Sequence, residues 1–161
     1  MEIRKATEHD LPEVFAIYAR AREFMRQNGN PDQWGNGKPS EETVRNDLRR
    51  SDLYAVCDGD GICGVFFFKI FDDPTYRIIE NGKWLNDESY GVIHRIASSG
   101  TKKGVLKTAV DYCFSVIPNI RIDTHEDNRV MQSALEKNGF IPCGTIYTDD
   151  GSPRIAYQKT E

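Results

Sequence analysis

The sequence predicts a single α+β domain, and three observations predict it. The chain has 161 residues, about the length of one domain. Runs of strand character and runs of helical periodicity interleave along it, separated by Gly, Pro and Asn. Its 39% hydrophobic and 29% charged residues make the balance of a folded globular chain rather than a disordered one. A domain of this size buries roughly 70% of its unfolded surface, so it needs no disulfide or structural metal.

Glu2 to Ala6 reads as a short strand. Thr7 follows as a helix cap with Pro12 early in the helix, and Leu11, Val14, Phe15, Tyr18 and Met25 give the helix one apolar face up to Asn28 and Gly29. The segment GNPDQWGNGKP, Gly29 to Pro39, is too rich in Gly, Pro and Asn for regular structure, so Trp34 is expected in an exposed loop. Ser40 and Thr43 open a second helix with Val44 and Leu48 inside.

Leu53 to Cys57 and Ile62 to Phe71 read as two strands joined by the turn DGDG, Asp58 to Gly61. From Asp72 to Ser89 an irregular excursion is expected, anchored by Tyr76, Ile78, Ile79 and Trp84. Tyr90 to Ser98 is the next strand, and strict alternation puts Val92, His94 and Ile96 on one face with Ile93 and Arg95 on the other. Leu106, Ala109, Val110, Cys113, Phe114 and Ile117 then give the clearest helical period in the chain, ended by Pro118. Asn119 to His125 is a strand, and Asp127 or Asn128 caps a helix closed by Gly139. Two strands, about Ile141 to Thr148 and Arg154 to Lys159, complete seven strands and four helices.

The composition also excludes function classes. No apolar run approaches the roughly 20 residues that span a bilayer, the longest being Gly64 to Phe68. The charged N-terminus lacks a signal peptide's apolar core, so a cytoplasmic protein without a membrane partner is expected. A net charge of -4 argues against nucleic acid as a partner. The four cysteines never form a C-x-x-C pair and read as buried, reduced hydrophobes, with no metal site expected.

One constellation carries chemistry. A strand, the loop SSGTKKG from Ser98 to Gly104, and a helix start make an anion site, because the first amides of a helix lack internal partners and the helix dipole adds positive charge there. Gly104 lets the backbone approach a phosphate, and Lys102, Lys103 and Lys107 supply charge. The alternative is that Gly104 only starts a helix and the lysines are solvated. Neither a P-loop nor a dinucleotide fingerprint is present.

The order of elements, with two motif matches, resembles the GCN5-related N-acetyltransferase (GNAT) family over nearly the whole chain. Ile96, Thr101, Gly104 and Leu106 fall on the family's acyl-CoA signature, with Thr101 in place of Gln or Arg and Leu106 in place of a small residue. Asn128, Ala134, Leu135, Glu136, Lys137, Gly139 and Phe140 fall on a second family pattern, with Leu135 where many members carry the tyrosine that protonates the leaving thiolate. The resemblance implies a mixed, mostly antiparallel sheet of about seven strands flanked by four helices. It also implies direct acetyl transfer from acetyl-CoA to a primary amine of a small molecule or peptide, and it admits a homodimer through the C-terminal strands.

By the same resemblance, Ile96 and Ala97 hold the pantetheine arm, Thr101, Lys102, Lys103, Gly104, Val105, Leu106 and Lys107 the pyrophosphate, and Asn128 the arm again. Asn128 has a second reading as a helix cap. The transfer needs a base, for which His94 is the first candidate and His125 the second, because imidazole titrates near neutral pH. Each has a structural alternative, a core histidine for His94 and a loop histidine for His125. The acceptor pocket is expected from Gln33 and Trp34 with Tyr18 and Arg22 below, although Trp34 could equally plug the first helices. Tyr90, Tyr147 and Tyr157 are unranked replacements for the missing acid. The competing class is a non-catalytic acyl-CoA-binding or interaction module, favoured by Leu135.

Overall fold

The computed structural model describes residues 1–59 and 61–161; Asp60, within the turn expected over Asp58 to Gly61, lies outside the described residues. In chain order the elements are β1 (Glu2–Lys5), α1 (Leu11–Gln27), α2 (Glu41–Arg49), β2 (Leu53–Asp58), β3 (Gly61–Ile70), β4 (Gly91–Ser98), α3 (Val105–Val116), β5 (Asn119–Thr124), α4 (Arg129–Lys137), β6 (Ile141–Tyr147) and β7 (Pro153–Thr160). The strands form one sheet in the order β1-β2-β3-β4-β5-β7-β6. Among the described residues every pairing is antiparallel except β4 with β5. None of the described helices is long and apolar enough to cross a membrane.

Alternation along the strands splits the core between the two faces. Tyr54, Val56, Phe66 and Phe68 pack with Val105, Ala109, Val110 and Cys113 of α3 and Leu135 of α4. On the opposite face Leu53, Val65 and Ala97 pack under Leu11, Val14, Ile17 and Tyr18 of α1 and Val44 of α2. A short 3-10 turn, Glu8 to Asp10, precedes α1, and the Arg4 guanidinium forks onto Asp10 at 2.7 and 2.9 Å. Ser40 caps α2 by accepting from the Thr43 amide at 3.1 Å, and Asn128 caps α4 by accepting from the Met131 amide at 3.0 Å.

The strict alternation expected over Tyr90 to Ser98 fails inside β4. His94 pairs with Phe67 and Ala97 with Val65, so three steps on β4 face two on β3. The extra residue is a bulge at Arg95, whose φ is +49°. His94 and Arg95 therefore share one face, and Ile96 turns over to join Ile93 in the α3 core. This corrects the placement of Ile96 beside His94.

The excursion after β3 is irregular as expected, but it is pinned. Asp73 caps a 3-10 turn, Pro74 to Tyr76, and accepts from the Thr75 amide at 2.9 Å. Glu80 bridges to Thr145, and the Arg121 guanidinium lies between the Trp84 and Tyr90 rings at 4.2 and 3.9 Å. Tyr76 is buried, whereas Ile78 stands 73% exposed and anchors nothing. Of the four free cysteines, Cys63, Cys113 and Cys143 are buried and Cys57 is half-buried, since it lies near the turn end of β2.

Candidate active site

β4 and β5 are paired only at Gly91 with Ile120 and Val92 with Arg121. Beyond Val92 the two strands part, leaving the β5-facing edge of β4 without a strand partner. Two cavities open along this parting. One, of about 410 Å³, is lined by His94, Arg95, Asp123, Gln33, Trp34 and Arg154 among others. The second, of about 420 Å³, is mainly apolar and lined by Ile96, Ala97, Leu106, Val130 and Ala134 with Ser98, Gly100 and Asn128. Met25, Ile96 and Met131 border both, so the two cavities adjoin.

His94 stands at the floor of the first cavity. Its Nε2 lies 2.7 Å from Asp73 Oδ2, and its Nδ1 lies 3.9 Å from Asp123 Oδ2. Asp73 is 4% exposed and also accepts from the Thr75 amide and hydroxyl, while its own amide donates to Tyr90 Oη. Burial works to raise the Asp73 carboxyl, but the hydrogen bonds from His94 and Thr75 outweigh it and hold the group below its usual range. An ionised Asp73 only accepts, so Nε2 carries a ring hydrogen toward it, and in the neutral ring Nδ1 is then the nitrogen with the lone pair. Asp123 is oriented by Tyr76 Oη at 2.7 Å. Burial, with the Asp123 charge second, pushes the Tyr76 phenol far up and keeps it a donor.

A carboxyl held lower in the folded than in the unfolded chain adds stability that is present above its unfolded value of about 3.9 and is lost as pH falls through the folded value. Asp73→Asn is therefore expected to be less stable than the parent at neutral pH, with the difference narrowing below about pH 4. Melting curves across this range check it. A difference that stayed constant with pH would remove Asp73 as the responsible group.

Arg95 is held by the bulge and by α2. Its guanidinium forks onto Asp47 at 2.8 and 2.9 Å and lies 4.8 Å over the Phe67 ring, while its carbonyl accepts from Tyr18 Oη at 2.8 Å. Tyr18 is thus buried in a structural bond and does not line the cavity, and Arg22 donates to the Lys38 carbonyl instead. Trp34 is half-buried, packed edge-on to Tyr18 with centroids 5.7 Å apart, rather than exposed, and it still lines the cavity. Gln33 Oε1 accepts from Asn30 at 2.8 Å and from Asn128 at 2.9 Å, tying the loop to the α4 cap.

His125 is not brought to the parting. Its Nδ1 accepts from the Asp127 amide at 3.0 Å, which commits the ring to the turn before α4, and it lines neither cavity. Tyr90, Tyr147 and Tyr157 line neither cavity either, and Leu135 is fully buried in the α3 core.

On the second cavity's side the loop after β4 is folded on itself, with the Gly100 and Thr101 amides donating to Ser98 and Ser99 Oγ. Gly104 caps α3 at φ +86°, and the first intrahelical bond runs from the Thr108 amide to the Gly104 carbonyl at 2.9 Å. The amides of Val105, Leu106 and Lys107 therefore lack helical partners. The lysines are less free than expected: Lys102 pairs with Asp58 at 3.0 Å and Lys107 with Asp111 at 2.6 Å, leaving Lys103 without an ion pair among the described residues. An unpaired strand edge, an apolar trough and a glycine-capped helix start fit the amide-rich arm and the diphosphate of an acyl-CoA.

Asp73, Asp123, Asp47 and Arg95 were not singled out as site residues in the sequence. Asp73 carries a local signal, an acid before Pro74 that caps a turn. Nothing local marks it as the partner of His94, 21 residues away.

The sheet thus parts between its fourth and fifth strands, with the glycine-capped start of α3 beside the parting. The family model described as the acetyltransferase (GNAT) domain matches residues 1–141. The chain belongs to this family and is an N-acetyltransferase that uses acetyl-CoA. No curated protein sequence matches it. A GNAT-family acetyltransferase from Streptococcus agalactiae is similar with a TM-score of 0.90 and 28% identity over 99% of this chain and 95% of that one. A structure from Staphylococcus aureus Mu50, named an acetyltransferase, gives 0.72 and 23% over 99% of both chains. An aminoglycoside acetyltransferase in complex with coenzyme A and kanamycin gives 0.66 and 19% over 99% and 94%. The last two bear on the fold alone.

Proposed function

We propose that the enzyme acetylates a primary amine bound in the 410 Å³ cavity, with His94 as general base. The observation that carries this reading is His94 itself, bonded through Nε2 to Asp73 while Nδ1 faces the parting and Asp123. Acetyl-CoA supplies an acetyl thioester whose carbonyl carbon accepts the amine. Ile96 and Ala97 hold its arm along the open edge of β4, and the α3 start around Gly104 holds its diphosphate.

His94 Nδ1 takes one proton from the substrate ammonium, and Asp73 stabilises the imidazolium that results. A C–N bond forms as the C–S bond breaks, and the nitrogen sheds a second proton as the amide forms; of the two protons lost, one ends on the departing sulfur and one in solvent. With Leu135 buried and the three tyrosines away from the cavities, solvent at the open parting or His94 itself delivers the proton to sulfur. The cytoplasmic setting suits a chain with four free cysteines.

Thermal unfolding with acetyl-CoA at about a hundred times Kd tests the cofactor arm, since such binding adds about 2.7 kcal/mol. The expected rise is about 5 to 10 °C. Gly104→Val forces a β-branched side chain to φ +86° with Met1 Cε 3.4 Å from its Cβ, and is expected to weaken acetyl-CoA binding about tenfold or more. An undiminished rise in this variant would remove Gly104 from the diphosphate site. Release of free thiol in the presence of primary amines tests turnover, and none with any amine would sink the reading.

A further inference from the structure

The cavity beside His94 is unevenly charged, and the imbalance bears on the acceptor. At its floor, Asp123 stands 3.9 Å from His94 Nδ1, a gap too wide for a direct hydrogen bond and suited to a bound ammonium. Three cationic side chains, Lys38, Arg95 and Arg154, line its walls and mouth. Arg95 is neutralised by its fork onto Asp47. Lys38 is 70% exposed and reaches Asp150 only at 3.8 Å.

Arg154 differs from both. Its guanidinium donates only to carbonyl oxygens, of Pro153 at 2.9 Å and of Gln33 at 3.3 Å, and it makes no ion pair among the described residues. Asp149 lines the same mouth without pairing with it. The sheet register sets the spacing. Asp123 pairs with Ala156, and Arg154 lies two residues further along β7 on the same face, roughly 7 Å away along the strand.

We infer that the acceptor is a small zwitterionic amine, its ammonium between His94 and Asp123 and its carboxylate on the Arg154 guanidinium. This rests on the reading of His94 given above. A planar guanidinium already aimed by two carbonyls matches a carboxylate fork. A cavity of about 410 Å³ is the size of a small-molecule site. A polyamine would instead set its second ammonium against Arg154 and Lys38, and that repulsion selects against it. A free amino acid and a short peptide present the same two charged groups, and the test separates them.

The experiment measures thiol release with amino acids against their amides, dipeptides against dipeptide amides, and diamines of similar length. The expected result is a kcat/KM about tenfold or more higher for the carboxylates than for their amides. Arg154→Gln is expected to close most of that gap through KM, and Arg154→Lys to recover part of it. A purely structural role at the Gln33 carbonyl would lower carboxylates and amides alike.

Equal rates in the parent enzyme, a preference for amides or diamines, no turnover of any zwitterion, or a gap unchanged in Arg154→Gln would each overturn the inference. His94→Ala on the best amine separates the two claims. Turnover that needs His94 but ignores the carboxylate sinks only the acceptor class. A carboxylate preference that survives with turnover independent of His94 sinks the base and leaves the class.

Discussion

His94→Ala is expected to lower kcat about 10²- to 10⁴-fold at neutral pH, the range of a lost general base, while leaving the acetyl-CoA thermal rise intact. Binding is expected to survive because the apolar trough, the β4 edge and the α3 start are built from other residues. The ring is not a core element that the fold needs, since its side chain is 23% exposed and lines the cavity. Its neighbours are placed for it: Asp73 fixes the ring through Nε2, and Tyr76 fixes Asp123 on the Nδ1 side. A variant with parental turnover, or one that has lost the acetyl-CoA thermal rise along with turnover, would count against the assignment.

Asp47→Ala is expected to cost about 2 to 3 kcal/mol of stability, because it strands the Arg95 guanidinium over Phe67 with no carboxylate. A fully buried pair broken on one side costs about 3 to 5 kcal/mol, and the lower figure reflects an Arg95 side chain 25% exposed. Burial pushes the Asp47 carboxyl up even against the pull of Arg95, so the pair is worth less than its geometry suggests and the main loss is the orphaned cation. The melting temperature is expected to fall by about 5 to 10 °C. Replacing both partners, Asp47→Ala with Arg95→Met, is expected to restore much of the loss. A double variant as unstable as the sum of the singles would show that the pair is not the coupling. Because Arg95 is the bulge residue, the single variant is also expected to disturb His94 next to it and reduce turnover.

The elements of this fold were legible because each is written locally. Apolar spacing marked α1 and α3, Ser40 and Asn128 marked helix starts, and Gly104 and Gly139 marked a start and a stop. The two spaced motifs extended this to the family. Of the candidate site, only strand and loop positions were legible: His94, Gln33 and Trp34, which line the first cavity, and Gly104, which caps α3. Alternation placed Ile96 beside His94, and the bulge at Arg95 moved it to the other face. No residue type announces a bulge that a neighbouring tyrosine hydroxyl and a distant aspartate hold in place.

His125 shows the opposite error, a titratable ring chosen by its residue type and then committed to a backbone amide two residues on. The lysines of the α3 loop show a third, charge read as free that Asp58 and Asp111 had already taken. The strands, the helices, the glycine-capped start of α3 and the family were all readable from the chain, because periodicity, caps and glycines act over a few residues. Which carboxylates meet His94, which arginine is paired with a carboxylate and which donates only to carbonyl oxygens emerge from the tertiary contacts alone. Those tertiary contacts join residues 21 to 121 positions apart, and their pairing depends on how β4 and β5 part.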